Sequence, residues 1–241
     1  MERNFLNKLE RKLGRYAIRN LMSIIVFVTL GVWLLDTVIY TRSGVSIMYY
    51  LFFSRDLILQ GQVWRIVTFI FVPDSTNLFR LFISLYFYWL IGNGLANAWG
   101  TFKFNVFYFT GIFCTIISGF ITGYTDNGYL NLTVFLAYAI LFPDDRVYIF
   151  FLFPVKMKVI GIIDGIFLLL SFIFSNWIGR IALIFALLNL ILFFWKDVYD
   201  AIYYFFRRRK YKRQAKVKPI KINKKQKENQ KDYEDDGFFD S

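Results

Sequence analysis

The stretch LMSIIVFVTLGVWLLDTVIY, residues 21–40, decides the fold. Asp36 is its one charged residue. The run reaches the roughly 20 apolar residues that an α-helix needs to cross a bilayer core. It is continuous rather than alternating, which argues for a helix and against a transmembrane strand. Working outward, the same reading applies to residues 77–98, 104–122, 129–142, 157–174 and 177–195. The fourth of these six segments is short and needs cover from its neighbours. Pro73, Pro143, Pro154 and Pro219 all lie outside the six, as expected for a residue that breaks helix interiors. The expected fold is an all-α polytopic membrane protein, a bundle of six transmembrane helices.

The charge distribution agrees. Of 241 residues 57% are hydrophobic and 19% charged, and the net charge is +12. Residues 1–20 contribute +4 and residues 207–241 contribute +7, leaving +1 for everything between. A soluble globule and a nucleic-acid domain with a folded basic face both fit this poorly. Residues 1–20 read as a cytoplasmic amphipathic helix, with Phe5, Leu6, Leu9, Leu13, Tyr16 and Ala17 on one side and Arg11, Lys12, Arg15 and Arg19 around the rest. Such a helix suits an anionic membrane surface. Residues 21–206 form the membrane domain. Residues 207–241 read as a disordered cytoplasmic tail, basic then acidic, with its tip as a site for a soluble partner. With six crossings, one side of the membrane holds 24 of the 29 Lys and Arg residues. The opposite side holds Arg42, Arg55, Arg65, Arg80 and Arg180. The excess of basic residues marks the cytoplasm, so both termini are expected there. The expected location is a bacterial plasma membrane, or the endoplasmic reticulum in a eukaryote.

The first loop, residues 41–76, is long yet apolar. Its runs 45–53 and 63–72 are each too short to span. A loop of this kind is expected to lie in the membrane interface or against the bundle. Trp64 and Arg65 would anchor it, because Trp favours the interface and Arg reaches polar partners from an apolar stem.

The chain contains no His. This removes Ser-His and Cys-His catalysis and His-ligated metal sites. Cys114 is the single Cys, inside an apolar run, and reads as a small buried hydrophobe. No metal or cofactor motif is present in the sequence. Asp36 and Asp164 fall inside expected spans, where an ionisable side chain is costly and suggests function. They open an alternative reading, a small transporter or channel component. Against it, the chain shows no inverted repeat. Asp164 also sits in Gly161-Ile162-Ile163-Asp164-Gly165, where the plainer expectation is a close helix contact with Asp164 bonded to a neighbouring helix. Gly119 and Gly123 have the same small-residue spacing. An intramembrane aspartyl protease is a poor match, since Asp36 follows Leu35 and Asp164 follows Ile163. Trp33, Trp89, Trp99, Trp177 and Trp195 are expected near span ends.

Four stretches resemble the rhomboid family of six-helix membrane proteins. Gly61-Gln62-Val63-Trp64-Arg65-Ile66-Val67-Thr68-Phe69 resembles the family's first-loop Trp-Arg motif. Residues 77–100, ending Ala98-Trp99-Gly100, resemble its second helix. Leu141-Phe142-Pro143-Asp144-Asp145-Arg146-Val147 and Phe153-Pro154-Val155-Lys156 resemble the connection between its fourth and fifth helices. The likeness covers about residues 55–195.

Active rhomboids are serine proteases, and the departures bear on activity. Where they have Gly-x-Ser-Gly at the start of the fourth helix, this chain has Asn127-Gly128-Tyr129-Leu130-Asn131. Where they have a sixth-helix His, it has Trp177-Ile178-Gly179-Arg180. The positions of their oxyanion donors hold Arg80 and Ser84. Without nucleophile and base there is no covalent route. The resemblance therefore implies no enzyme, but an inactive member similar to iRhoms and derlins. Gly128, Asn131, Gly179 and Arg180 mark the vacated catalytic region. Such a protein binds transmembrane segments of client proteins for quality control, chaperoning or degradation. Arg80, Ser84 and Asp164 are the candidate client contacts, and an intramembrane protease of altered chemistry is a remote alternative.

Overall fold

The computed structural model of the chain describes residues 3–149 and 153–195. The chain opens with α1 (Arg3–Leu13) and α2 (Leu21–Ser43). Three short helices follow, α3 (Met48–Leu51), α4 (Arg55–Leu59) and α5 (Arg65–Thr68). Then come α6 (Leu78–Trp99), α7 (Thr101–Thr122), α8 (Gly128–Leu141), α9 (Met157–Phe174) and α10 (Trp177–Trp195). Four short strands interrupt them: β1 (Phe53–Ser54), β2 (Tyr124–Thr125), β3 (Arg146–Ile149) and β4 (Phe153–Lys156). Five helices, α2, α6, α7, α9 and α10, are long and apolar enough to cross a membrane. The chain is thus a mostly helical, polytopic membrane protein.

The expected segment at 129–142 is a helix of 14 residues, about 21 Å long at 1.5 Å per residue. That falls short of a hydrocarbon core of roughly 30 Å. Its setting accounts for this. It packs against α6, α7 and α9, and Leu130, Asn131, Thr133, Val134, Ala137, Tyr138 and Ala139 are buried. A helix walled by protein does not need to match the lipid thickness.

Helix α6 lies at the centre of the contacts, against α2, α7 and α8. Close approaches depend on glycine. A Cβ at Gly111 on α7 would stand 2.6 Å from Leu130 and 2.9 Å from Asn189 of α10. In lipid, helices gain most from such backbone proximity and from hydrogen bonds between them. Asn189 supplies one, donating through Nδ2 to the Phe107 carbonyl at 3.3 Å. Trp99 and Phe107 both meet Phe193 on the same seam.

Several expectations are corrected. Residues 1–20 are not one helix. α1 stops at Leu13, a 3-10 turn runs Gly14–Tyr16, and Asn20 takes a left-handed φ of 54° before α2. Gly14 weakens the helix, and Asn is among the few residues that tolerate this backbone. Gly119 and Gly123 do not share a helix contact. Gly123 closes α7 as a left-handed cap with φ 91°, while Gly119 faces Phe53 and Thr125. Trp33 and Trp89 lie near the middles of α2 and α6, not at their ends. Trp33 donates to the Thr76 carbonyl at 3.2 Å and so fixes the loop to α2. The expected tail, residues 207–241, lies outside the described residues.

Candidate functional site

The first loop is built around the carbonyls that end α3. The last carbonyls of any helix lack partners within it. Here side chains from the 64–68 segment supply them. Arg65 Nη1 donates to the carbonyls of Tyr49 and Phe52, both at 2.8 Å. Trp64 Nε1 donates to Tyr50 at 3.0 Å and Thr68 Oγ1 to Leu51 at 3.0 Å. Four consecutive carbonyls are satisfied by three side chains. Arg65 is 3% exposed, and its Nε donates to Gln62 Oε1 at 2.7 Å. Trp64 keeps its ring half exposed while its N–H is held.

The other end of α3 is held by Asp36. This buried carboxylate on α2 accepts from Ser46 Oγ at 2.7 Å and from the Ile47 amide at 2.8 Å. Asp36 therefore joins the first span to the loop through donors that sequence spacing could not supply. From the far side, Phe53 inserts fully buried between Phe69 and Phe120, edge-on to both. β1 pairs with β2, Phe53 opposite Thr125. The loop is thus fastened to α2, to α7 and to the start of α8.

Beside it lies a small polar cavity with about 10 Å³ of space, close to what a single water occupies. Thr29, Asp74, Tyr88, Asn127 and Asn131 give it polar walls, and Ile25, Ile70, Val72 and Leu85 give it apolar ones. Arg80, Ser84 and Tyr88 follow at four-residue spacing on α6, so they share one face. Ser84 Oγ donates to Asp74 Oδ1 at 2.9 Å, and Tyr88 stands between Asp74 and Asn131. Arg80 is exposed at the start of this row, and its amide is capped by Asn77 Oδ1 at 3.1 Å. Asn127 Nδ2 donates to the carbonyls of Ile70 and Val72, at 2.9 and 3.0 Å. Next to it, Asp126 Oδ1 accepts from the Gly128 amide at 2.8 Å and starts α8.

Ser84 and Asn131 are therefore joined through Asp74 and Tyr88 into one polar cluster, with Arg80 exposed at the end of the row. Gly179 and Arg180 serve the turn between α9 and α10 instead. Asn176 Oδ1 accepts from the Gly179 amide at 2.9 Å, and Arg180 donates to the carbonyls of Phe172 and Ile173, each at 3.0 Å. Ser175 stands close to the Tyr129 side chain, which sets this turn beside the start of α8. Asp164 differs from its expectation of a bond to a neighbouring helix. Its Oδ2 is buried with no hydrogen-bond partner among the described residues. Gly161 touches α8, where a Cβ would lie 2.7 Å from Ala139, but Gly165 faces open space. The small-residue contact around Asp164 is half filled.

Asp74, Tyr88 and Asn127 were not singled out from sequence. The four-residue spacing of Arg80, Ser84 and Tyr88 is the signal that reveals the row. Asp74 reaches it only through the chain's turn after Pro73. Chemically, Ser84 has a carboxylate as its acceptor, and the cluster contains no imidazole to exchange a proton near neutral pH. No protein-family model matches the chain, and no curated protein matches it significantly.

Proposed function

We propose that the chain is a catalytically inactive member of the rhomboid-like superfamily that binds transmembrane segments of client membrane proteins. Its role would be quality control, chaperoning or presentation for degradation. The observation that carries the reading is a fully fastened Trp64-Arg65 loop beside a polar row, Arg80-Ser84-Tyr88, in a chain with no His. Exposed apolar residues on α6 and α9, among them Phe82, Ile163 and Phe167, provide surface for a client helix. Asp164, between Ile163 and Gly165 on the same helix, would supply a polar contact once a client displaces the groups that now bury its unpartnered Oδ2. A client carrying a polar residue in its span gains most there, because such a residue is costly in intact bilayer. The transporter reading loses support from Asp36, whose carboxylate is occupied by loop donors.

The test is photocrosslinking in native membranes from positions 82 and 163. The proposal expects captured membrane proteins of full length. Shortened products that vanish on Ser84→Ala would overturn it.

A further inference from the structure

We infer that the N-terminal segment, residues 7–20, is a docking surface for anionic phospholipid headgroups of the leaflet that α2 enters. Lys8, Arg11, Lys12, Arg15 and Arg19 are all exposed. The segment's one carboxylate, Glu10, is turned toward Lys103 of α7 at 3.7 Å. None of the five cations has an acidic partner among the described residues. The segment is not a loose arm. Asn105 Nδ2 donates to the Ile18 carbonyl at 3.1 Å, and α1 lies against α7. The cations are thereby fixed beside Leu21, where the first apolar helix begins.

The apolar residues decide between a lipid surface and a soluble acidic partner. Leu13, Tyr16 and Ile18 are 46%, 66% and 40% exposed, interleaved with the cations. An interfacial segment presents both zones at once, cations to headgroups and apolar groups to the acyl boundary. Anionic lipid supplies the counter-charge, and the attraction falls off within a Debye length. This inference is independent of client binding.

The experiment uses the full chain carrying a nitroxide on Leu13→Cys, with the buried Cys114 left in place. The protein is placed in nanodiscs of phosphatidylcholine alone or mixed with phosphatidylglycerol. Collision with oxygen and with a water-soluble nickel chelate reports the label's depth. The label is expected to sit deeper with phosphatidylglycerol and to return to its phosphatidylcholine depth as salt is raised. Replacing the five cations with Gln should abolish the difference, while Arg→Lys replacements keep it. The tail's cations are the same in every arm. Equal depth in both lipids, no response to salt in the unsubstituted labelled protein, or an unchanged lipid effect in the Gln variant would overturn the inference.

Discussion

At the residue scale, Arg65 is the side chain whose removal leaves most undone. Its guanidinium is buried and serves two carbonyls and an amide oxygen at once. A hydrogen bond to a charged group contributes about 1.5–3 kcal/mol, and a buried acceptor left unmade costs further. We predict that Arg65→Ala destabilises the protein by roughly 3 kcal/mol and exposes the loop to protease. Arg65→Lys should recover only part, because an ammonium lacks the planar fork that reaches both carbonyls. Thermal unfolding in detergent and proteolysis of the loop check both. The motif itself was legible in the sequence, but its partners were not. The four carbonyls belong to backbone 13 to 17 residues away, and backbone atoms carry no sequence signal. Asp36 shows the same limit. Spacing placed it in a span and invited a functional reading, whereas Ser46 and the Ile47 amide employ it in holding the loop.

At the element scale, the apolar helices were nearly all readable. A chain in lipid must satisfy its backbone internally, so a long apolar run has few alternatives to a helix. The β1–β2 pairing was invisible, because it joins two-residue strands across the whole length of α6 and α7. Gly119 makes that pairing possible. A Cβ there would come within 2.5 Å of the Phe53 ring and 2.8 Å of Thr125. The Phe53 ring is fully buried between Phe69 and Phe120 and has nowhere to go. Overpacking of this kind costs about 1–3 kcal/mol. Gly119→Ala should lower the unfolding midpoint accordingly, whereas Gly165→Ala, inside α9 and facing open space, should leave it unchanged or raise it, because Ala favours a helix interior over Gly. A different element, the connection before β3, carries a pH signature. Lys156, by hydrogen bond and charge, and then Lys158 hold the exposed Asp144 carboxyl below its ordinary range. A carboxyl lowered on folding lends stability above its unfolded pKa and loses it as pH falls through the folded value. Lys156→Gln should therefore move the Asp144 titration upward, with a shift that shrinks in high salt. NMR titration of its side-chain carbon reads this directly, and no upward movement would refute the pairing.

At the scale of the whole molecule, the fastened loop meets the start of the short helix α8, which α6, α7 and α9 wall in. The number of crossings is testable. If α8 passes through the bundle interior with the five longer helices, the chain crosses six times, and both ends share a side. Reporter fusions after Ser241 and within the loop at Gly44 should then report opposite compartments. A shared compartment would mean that α8 does not cross. The proposed function is binding of transmembrane segments that carry polar residues, without cutting them. The most direct measurement compares photocrosslinking yields from position 163 for two clients that differ by one polar residue at the centre of the span. The account predicts a higher yield for the polar client, no cleaved product, and loss of the preference in Asp164→Leu with the fold retained. Equal yields for the two clients, or a cleaved client whose appearance depends on a single Ser or Asp, would contradict it.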